Sequence, residues 1–296
     1  MSNSSPLSNI SFGQDMTLRV PLRSACLKPR AMPNSTPILL IGAGKMGQAM
    51  LKGWLASDIA SIEVLENFPS DTLRSLPIDL NPSTVTINES QTVILAVKPQ
   101  NYREVLDEHQ ANIHPEAMVI SILAGISIEA LQNALPKRSI VRAMPNTPAT
   151  VGQGLTALFA ADDISDANKN VATSLMQAVG EIVWVENESM MDSVTAVSGS
   201  GPAYLFHFVE ALTAAAIDIG FEPEMAEIFA RNTIIGSAAL LEISEENAAQ
   251  LRENVTSKGG TTQAALDVLM ADVGLQSILL EAVKAAKKRS EELSKI

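Results

Sequence analysis

Short apolar runs alternate with amphipathic stretches between residues 37 and 186, and this pattern predicts strands joined by helices. One run, residues 93–97, has no polar position, as is typical of a parallel strand covered by helices on both faces. The predicted strands are residues 38–41, 62–65, 93–97, 118–122, 139–142, 156–159 and 182–185. We therefore expect an α/β domain with a Rossmann-type doubly wound parallel sheet over residues 37–186.

The second part of the chain, residues 187–296, has a helical period and no strand pattern. Breaks that contain glycine fall at residues 198–201, at Gly220 and at residues 257–260. Apolar residues lie on more than one face of these Ala-rich helices, which predicts an all-α dimerisation domain that packs against another subunit. A compact monomeric helical domain is the alternative.

Composition and charge narrow the class of partner. The net charge of −12 at pH 7 disfavours nucleic acid and anionic membranes, and no stretch is long and apolar enough to cross a bilayer, which leaves a small-molecule substrate. The single cysteine, Cys26, excludes an internal disulfide and favours the cytoplasm. Residues 1–36 are rich in Ser, Asn and Pro and more basic than acidic, so we expect a disordered or targeting extension, or a start codon at Met32.

A glycine-rich segment follows the first predicted strand and precedes a helical pattern. Its G-x-G-x-x-G spacing is formed by Gly42, Gly44 and Gly47, with Lys45 and Met46 between them. In this setting the first glycine allows a tight turn, the second lets a pyrophosphate approach the backbone, and the third lets the helix lie close to the strand. The motif predicts binding of a nicotinamide dinucleotide; a turn without a ligand is the alternative.

Glu66 ends the second predicted strand, about 20 residues after the glycine motif, where an acidic residue accepts the ribose 2′-hydroxyl of NAD. A carboxylate there repels the 2′-phosphate of NADP. Polar and basic residues just downstream favour the opposite choice, because they could hold that phosphate: Asn67, Ser70, Thr72 and Arg74. The pattern therefore leaves both NADH and NADPH as cofactors.

Ligands of an open parallel sheet bind where its strands end, so the loops after the strands are candidate sites. A stiff loop with Pro145 and Asn146 is predicted to present polar groups to a nicotinamide ring. Lys98 is interpreted as a general acid, a cation near phosphate or a solvated lysine. The histidines lack ligand spacing, so no metal site is expected. The predicted cofactor contacts in these loops are Ala96, Val97, Lys98, Pro99, Pro145 and Asn146.

Six segments together carry a resemblance to a known family. They are GAGKMG at 42–47, AVKPQ at 96–100, RAMPNTPA at 142–149, VTAVSGSGPAY at 194–204, VTSKGGTT at 255–262 and AVKAAKKRSEEL at 282–293. The chain resembles the pyrroline-5-carboxylate reductases over residues 38–293. The resemblance implies an amino-terminal Rossmann domain, a helical domain interleaved with that of a partner subunit, and NAD(P)H-dependent reduction of pyrroline-5-carboxylate to proline. It also implies an active site where two subunits meet.

The resemblance assigns roles to single residues of the helical part. Thr262 matches the threonine beside the ring nitrogen of the substrate, and it is our candidate catalytic residue. Glu245 matches an acidic residue close to the substrate in some members. The family usually has proline where this chain has Lys258 and Ala248, which puts substrate affinity in doubt. The loop that holds the imino acid carboxylate matches Ser257, Gly259, Gly260, Thr261 and Thr262.

The residue types in this loop suit a carboxylate. Gly259 and Gly260 can adopt positive φ and expose N–H groups, and Thr261 or Thr262 is predicted to cap a helix that begins near Gln263. The alternative functions are a related imine or hydroxy-acid dehydrogenase and a dinucleotide-sensing module without turnover. A ketone substrate is disfavoured because the predicted helix at residues 204–219 has no lysine to protonate an alkoxide, whereas a protonated cyclic imine already carries the charge that attracts hydride.

Overall fold

The computed structural model describes residues 38–57, 61–88, 91–161 and 164–293. The predicted extension at residues 1–36 lies outside the described residues, and so does Cys26.

One mixed sheet forms the first part of the chain. Its strand order is β3-β2-β1-β4-β5-β6-β7-β8, and β1 to β6 are parallel to one another. The order reverses direction between β1 and β4, which is the switch point where doubly wound sheets bind their ligands. The strands in the described residues are β1 (Ile38–Ile41), β2 (Ile62–Leu65), β3 (Asp79–Leu80), β4 (Thr92–Leu95), β5 (Met118–Ser121), β6 (Ser139–Met144), β7 (Gly154–Ala160) and β8 (Gly180–Trp184).

All seven predicted strands are present, five of them with shifted ends, and one pair departs from the expected parallel arrangement. Strand β7 is antiparallel to β6 and parallel to β8. The reason is the connection at residues 145–153, which contains only a 3₁₀ turn, Thr147–Val151, and is too short for the crossover that a parallel pair requires. The two-residue strand β3 carries no apolar run and was not predicted.

Helices cover both faces of the sheet and form the rest of the chain. Besides α-helices, the described residues contain the 3₁₀ turns Pro99–Asn101 and Gln110–Asn112 and one π-helical turn, Thr195–Gly199. The α-helices are α1 (Lys45–Ala56), α2 (Asp71–Arg74), α3 (Tyr102–His109), α4 (Ile128–Ala134), α5 (Asp166–Gln177), α6 (Met190–Val194), α7 (Gly201–Asp218), α8 (Pro223–Ile243), α9 (Ala248–Asn254), α10 (Thr261–Leu269) and α11 (Leu275–Leu293).

Two apolar clusters, one on each face, form the core of the sheet. Alternate residues of β1 enter different clusters because successive side chains of a strand point to opposite faces: Ile38 and Leu40 enter one, Leu39 the other. Trp54 of α1 is fully buried in the first cluster and donates its indole N–H to the Leu175 carbonyl of α5 (2.8 Å). The core confirms the predicted doubly wound domain.

The helical part leaves much apolar surface uncovered in a single chain. Helix α7 is rich in apolar residues, yet none of its residues is buried, and Phe206 is 63% exposed. Helices α7 and α8 pack against each other, and α11 returns to pack against α6 and the π-helical turn. The predicted break at residues 198–201 takes the form of this π-helical turn and a bend at Ser200, after which α7 begins with Pro202 in its first turn. Within the described ranges, no helix combines the length and hydropathy that crossing a membrane requires.

Candidate active site

The glycine loop between β1 and α1 is shaped by contacts that a side chain would block. Gly42 has φ +88°, and a Cβ there would lie 2.7 Å from Val97 Cγ1, so the loops after β1 and β4 touch. A Cβ on Gly47 would lie 2.9 Å from the Gly42 carbonyl oxygen, which explains how closely α1 approaches the strand. At Gly44 a Cβ would meet nothing within 4 Å, so the chain leaves open space in front of this residue.

The start of α1 offers free N–H groups to that space. Helices α2, α4, α5 and α9 each begin at a Ser or Asn whose side chain accepts a backbone N–H, whereas α1 begins at Gly44 with no side-chain cap. The positive end of the helix dipole and its uncapped N–H groups favour an anion at this point. Lys45, in the first turn, is exposed, and Met46 beside it is half-buried.

Glu66 is held with its carboxylate against the glycine loop. One oxygen accepts the Ala43 N–H (2.7 Å) and the other accepts the Phe68 N–H (2.9 Å). Its backbone is fixed as well, because the Asn81 side chain accepts the Glu66 N–H and donates to the Glu66 carbonyl, each at 2.9 Å. The carboxylate is thereby fixed at the edge of the glycine loop, on the side where β2 ends.

The loops after β4 and β6 lie along the same edge of the sheet. The Ala96 N–H donates to the Ile41 carbonyl (2.8 Å), which joins the first of these loops to the end of β1. Lys98 is exposed and precedes the 3₁₀ turn that begins at Pro99. Pro145 is buried, and the half-buried Asn146 accepts the Leu155 N–H with its amide oxygen (2.9 Å).

The loop before α10 is a tight turn. The Gly260 N–H donates to the Ser257 carbonyl (3.0 Å), and Gly259 has φ +72°, as position i+2 of a type II turn requires. A Cβ on Gly260 would collide with the Ser257 hydroxyl. The turn therefore delivers the chain to α10 with Thr261 exposed and Thr262 half-buried in its first turn.

Two details of the predicted loop are corrected by this geometry. The expected threonine cap is wrong, since α10 begins at Thr261 after Gly260 as the N-cap, and no side chain caps it. Only Gly259 has positive φ. Gly260 has φ −82°, which any residue can adopt, but a Cβ at this position would have no room beside Ser257. The start of α10 therefore resembles that of α1. In both helices the N-cap residue is a glycine, and no side chain accepts the first N–H groups.

Within one chain the structure brings together the predicted cofactor residues, but it does not bring the loop before α10 to them. The glycine loop, Glu66 and the loops after β4 and β6 lie along one sheet edge, and Asn146 contacts Ser198 of the helical part (3.1 Å). In the described part of the chain, α9 and α10 have no buried residue and no extensive packing against the sheet domain. Glu245 is exposed in the connection between α8 and α9.

Comparison with known proteins matches both parts of the chain. Residues 188–293 match the model of pyrroline-5-carboxylate reductase dimerisation, and residues 37–125 match a model described as NADP oxidoreductase coenzyme F420-dependent. A pyrroline-5-carboxylate reductase of Haemophilus influenzae is 40% identical over 86% of this chain and 97% of its own length. The chain belongs to the pyrroline-5-carboxylate reductase family. A Synechocystis member is also 40% identical, over 86% of this chain and 97% of its own.

Solved structures of pyrroline-5-carboxylate reductases share the fold. That from Coxiella burnetii is 34% identical, has a TM-score of 0.78 and covers 89% of this chain and all of its own. That from Plasmodium falciparum, solved with NADP bound, is 26% identical, has a TM-score of 0.74 and covers 87% of this chain and 99% of its own. The fold prediction, a Rossmann-type domain followed by a helical dimerisation domain, is confirmed, and so is the predicted family.

The residues present suit the dinucleotide that pyrroline-5-carboxylate reductases use as a class. The open space at Gly44, the uncapped start of α1 and the fixed Glu66 carboxylate form a cradle that a side chain at Gly44 would fill. No group of three or more His, Cys, Asp or Glu among the described residues is arranged to hold a metal ion. Helix α7, beside the loop after β6, has no lysine or arginine.

Three contacts that shape this site were not predicted from the sequence. Asn81 fixes the backbone of Glu66 and has φ +52°. In the sequence, an asparagine in a turn is the only feature that indicates this role. Gln48 of α1 donates to the Ala43 carbonyl (2.9 Å) and so supports the glycine loop. Ser198 lies in the break predicted at residues 198–201, but its contact with Asn146, which joins residues far apart in sequence, was not predicted.

Proposed function

We propose that this chain reduces 1-pyrroline-5-carboxylate to proline with NAD(P)H. When bound, NAD(P)H supplies a hydride to the imine carbon, the nitrogen keeps its proton, and the cofactor leaves oxidised. One observation carries the proposal. Helices α1 and α10 each have a glycine at the N-cap position, and no side chain accepts their first N–H groups. The first suits a pyrophosphate and the second a carboxylate, in a chain whose relatives are pyrroline-5-carboxylate reductases.

The cofactor is held by the sheet domain in this proposal. The backbone at Gly42, Gly44 and Gly47 and the first turn with Lys45 and Met46 receive the pyrophosphate. Glu66 accepts hydroxyls of the adenosine ribose. The loops after β4 and β6 flank the nicotinamide and the ribose next to it, through Ala96, Val97, Lys98, Pro99, Pro145 and Asn146.

The imino acid is held by the helical domain. Its carboxylate accepts the free N–H groups at the start of α10 and the hydroxyls of Ser257 and Thr261, behind the turn at Gly259 and Gly260. Thr262 lies beside the ring nitrogen, where its hydroxyl orients the imine, and Glu245 lies at the rim. Because a protonated imine attracts hydride by its own charge, the site needs orientation and anion binding more than a general acid.

The two halves of the site come from different subunits in this proposal. We divide the chain into a cofactor domain at residues 37–186 and a substrate and dimerisation domain at residues 187–296. The uncovered apolar surface of α7 and α8, with Phe229 54% exposed, supports association of two copies. The loop before α10 of one subunit then closes over the nicotinamide of the other.

A turnover assay tests the proposal. Loss of NADH or NADPH absorbance is followed after addition of racemic pyrroline-5-carboxylate, with proline measured as the product. We expect turnover by the wild type and a loss of about 10- to 100-fold in kcat/KM for Thr262→Ala, because one oriented hydrogen bond at the reacting nitrogen is lost.

Thr256→Ala is the matched control. Thr256 lies in the same loop, but its hydroxyl already donates to the Arg252 carbonyl (2.6 Å), so its removal should change kcat/KM less than threefold. Absence of turnover with either cofactor in a folded wild-type protein that binds NADH would exclude the reductase and favour a dinucleotide-sensing role.

A further inference from the structure

The π-helical turn between α6 and α7 has a local cause in the sequence. In a regular α-helix the carbonyl of Ser198 would accept an N–H from residue 202, but Pro202 has none and its ring would clash with that carbonyl. The chain instead inserts one residue, and the Ser200 N–H donates to the Thr195 carbonyl (2.9 Å). Such turns are rare, and they occur frequently at functional sites.

Tyr204 compensates for the change in hydrogen bonding. In an α-helix the Ser200 N–H would donate to the Ala196 carbonyl. Here this N–H donates to the Thr195 carbonyl, so the Ala196 carbonyl loses its usual donor. The Tyr204 hydroxyl donates to the Ala196 carbonyl instead (3.0 Å). Ala196 is fully buried, so a carbonyl deprived of its partner there would be costly, and the tyrosine hydroxyl stabilises the turn in its π form.

The π-helical turn is also fixed from both sides. On the side of the sheet it approaches the end of β6 so closely that a Cβ on Gly199 would lie 2.8 Å from Met144 Cε. On the other side α11 packs against it, and the Ser290 hydroxyl donates to Asp192 of α6 (2.6 Å). The turn is therefore a rigid support next to the loop after β6.

The direction of the hydrogen bonds around Asn146 leaves Ser198 with a free donor. The amide oxygen of Asn146 accepts the Leu155 N–H (2.9 Å), which fixes the orientation of the amide. Its NH₂ group therefore donates to Ser198 Oγ (3.1 Å). Ser198 is the acceptor in this bond, and in the described part of the chain no acceptor is recorded for its own O–H. The side chain is only half-buried, so this O–H is available to a ligand.

We propose that the Ser198 hydroxyl donates a hydrogen bond to the carboxamide oxygen of the nicotinamide, and that Tyr204 is a positioning residue that holds Ser198 there through the π-helical turn. The proposal rests on the cofactor placement proposed above. Asn146 follows β6 at the carboxyl edge of the sheet, where a dinucleotide lies in a doubly wound fold. A neutral amide oxygen is the acceptor that a fixed hydroxyl donor at this position fits.

Equilibrium binding of NADH to the purified protein, without substrate, tests this proposal. We expect Ser198→Ala to raise Kd about 3- to 10-fold, the range of one neutral hydrogen bond, and Ser198→Thr, which keeps the hydroxyl, to stay near the wild type. Tyr204→Phe should raise Kd to a similar extent in the wild-type background. It should have no further effect in the Ser198→Ala background, because the donor that it positions is already absent.

Tyr102→Phe is the matched control, since Tyr102 is a buried residue of α3 whose hydroxyl accepts a bond from Arg103, and its loss should leave Kd unchanged. Tyr204→Phe removes a single oxygen atom, and thermal unfolding of each variant confirms that it is folded. An unchanged Kd in Ser198→Ala would overturn the ligand contact. An unchanged Kd in Tyr204→Phe, or an equal increase in both backgrounds, would overturn the positioning role. NADH binding involves no imino acid, so this result is independent of the turnover assay.

Discussion

At the scale of single residues, Glu66 connects sequence to cofactor choice. Its carboxylate is not a free surface group, because hydrogen bonds from Ala43 and Phe68 fix both oxygens and Asn81 fixes its backbone. At the ribose position proposed above, a fixed negative charge would repel a 2′-phosphate more effectively than a mobile one, since it cannot turn away without losing these bonds. Arg74 of α2, the nearest candidate cation in the sequence, is exposed.

We therefore expect a higher kcat/KM with NADH than with NADPH. Glu66→Ser should lower the ratio of the two values about tenfold or more, equal to about 1.4 kcal/mol, because the repulsion is removed. Asp71→Asn changes the net charge by the same amount in the exposed first turn of α2 and should change the ratio little. Equal ratios in the wild type and Glu66→Ser would show that this carboxylate does not select the cofactor.

Lys258 is the second residue whose role the geometry sharpens. It is residue i+1 of the turn closed by Gly260 N–H and the Ser257 carbonyl, with Gly259 at i+2. Proline at i+1 presets the backbone angle of a type II turn, which gives a physical reason for the proline that this family usually has there.

Lys258→Pro should lower the KM for the imino acid about two- to fivefold, since a preset turn saves about 0.4–1 kcal/mol of conformational entropy. Lys258→Met, which removes the charge and keeps a flexible chain, separates the two possible effects of the lysine. A rise in KM for both variants would mean that the ammonium group binds the substrate carboxylate and that stiffness is secondary.

At the scale of elements, the strands were predictable and their connections were not. Continuous apolar runs identify the buried strands, and glycines identify the dinucleotide loop, because both follow from local sequence. The reversal of β7 and the π-helical turn have local causes, a short connection and Pro202, but hydrogen bonds such as that between Asn146 and Ser198 join residues far apart in sequence. The residues of the site could therefore be chosen from the sequence, but their hydrogen bonds could not.

The glycines of the α1 loop yield a prediction that separates folding from binding. Gly44→Ala should leave the free energy of unfolding nearly unchanged, since a Cβ there meets no atom of the chain, but it should raise the Kd for NADH about tenfold or more. Gly42→Ala should instead lower the free energy of unfolding by about 2–3 kcal/mol, because its φ is +88° and Val97 blocks the added carbon. Urea unfolding of both variants measures the stability change, and titration with NADH measures the Kd. If Gly44→Ala lost as much stability as Gly42→Ala, the assignment of Gly44 to cofactor binding would be contradicted.

At the scale of the whole molecule, the question is which subunit supplies each half of the site. Helices α9 and α10 carry the proposed substrate loop but have no buried residue, and most large apolar residues of α7 and α8 are at least partly exposed in a single chain. Both observations are accounted for if a partner subunit covers these helices and receives the loop. The matched dimerisation model covers the same residues.

Mixed dimers of two impaired variants test this arrangement directly. One subunit carries Gly44→Ala, which impairs the cofactor half, and the other carries Thr262→Ala, which impairs the substrate half. If each site combines halves from two subunits, one site of the mixed dimer receives both defects and the other receives none. A mixed dimer isolated with two different affinity tags and assayed at an NADH concentration below the wild-type Kd should then have about half of the wild-type kcat/KM, although each variant alone retains about a tenth or less. If each site is built within one chain, both sites of the mixed dimer carry one defect, and its kcat/KM stays as low as that of the two variants.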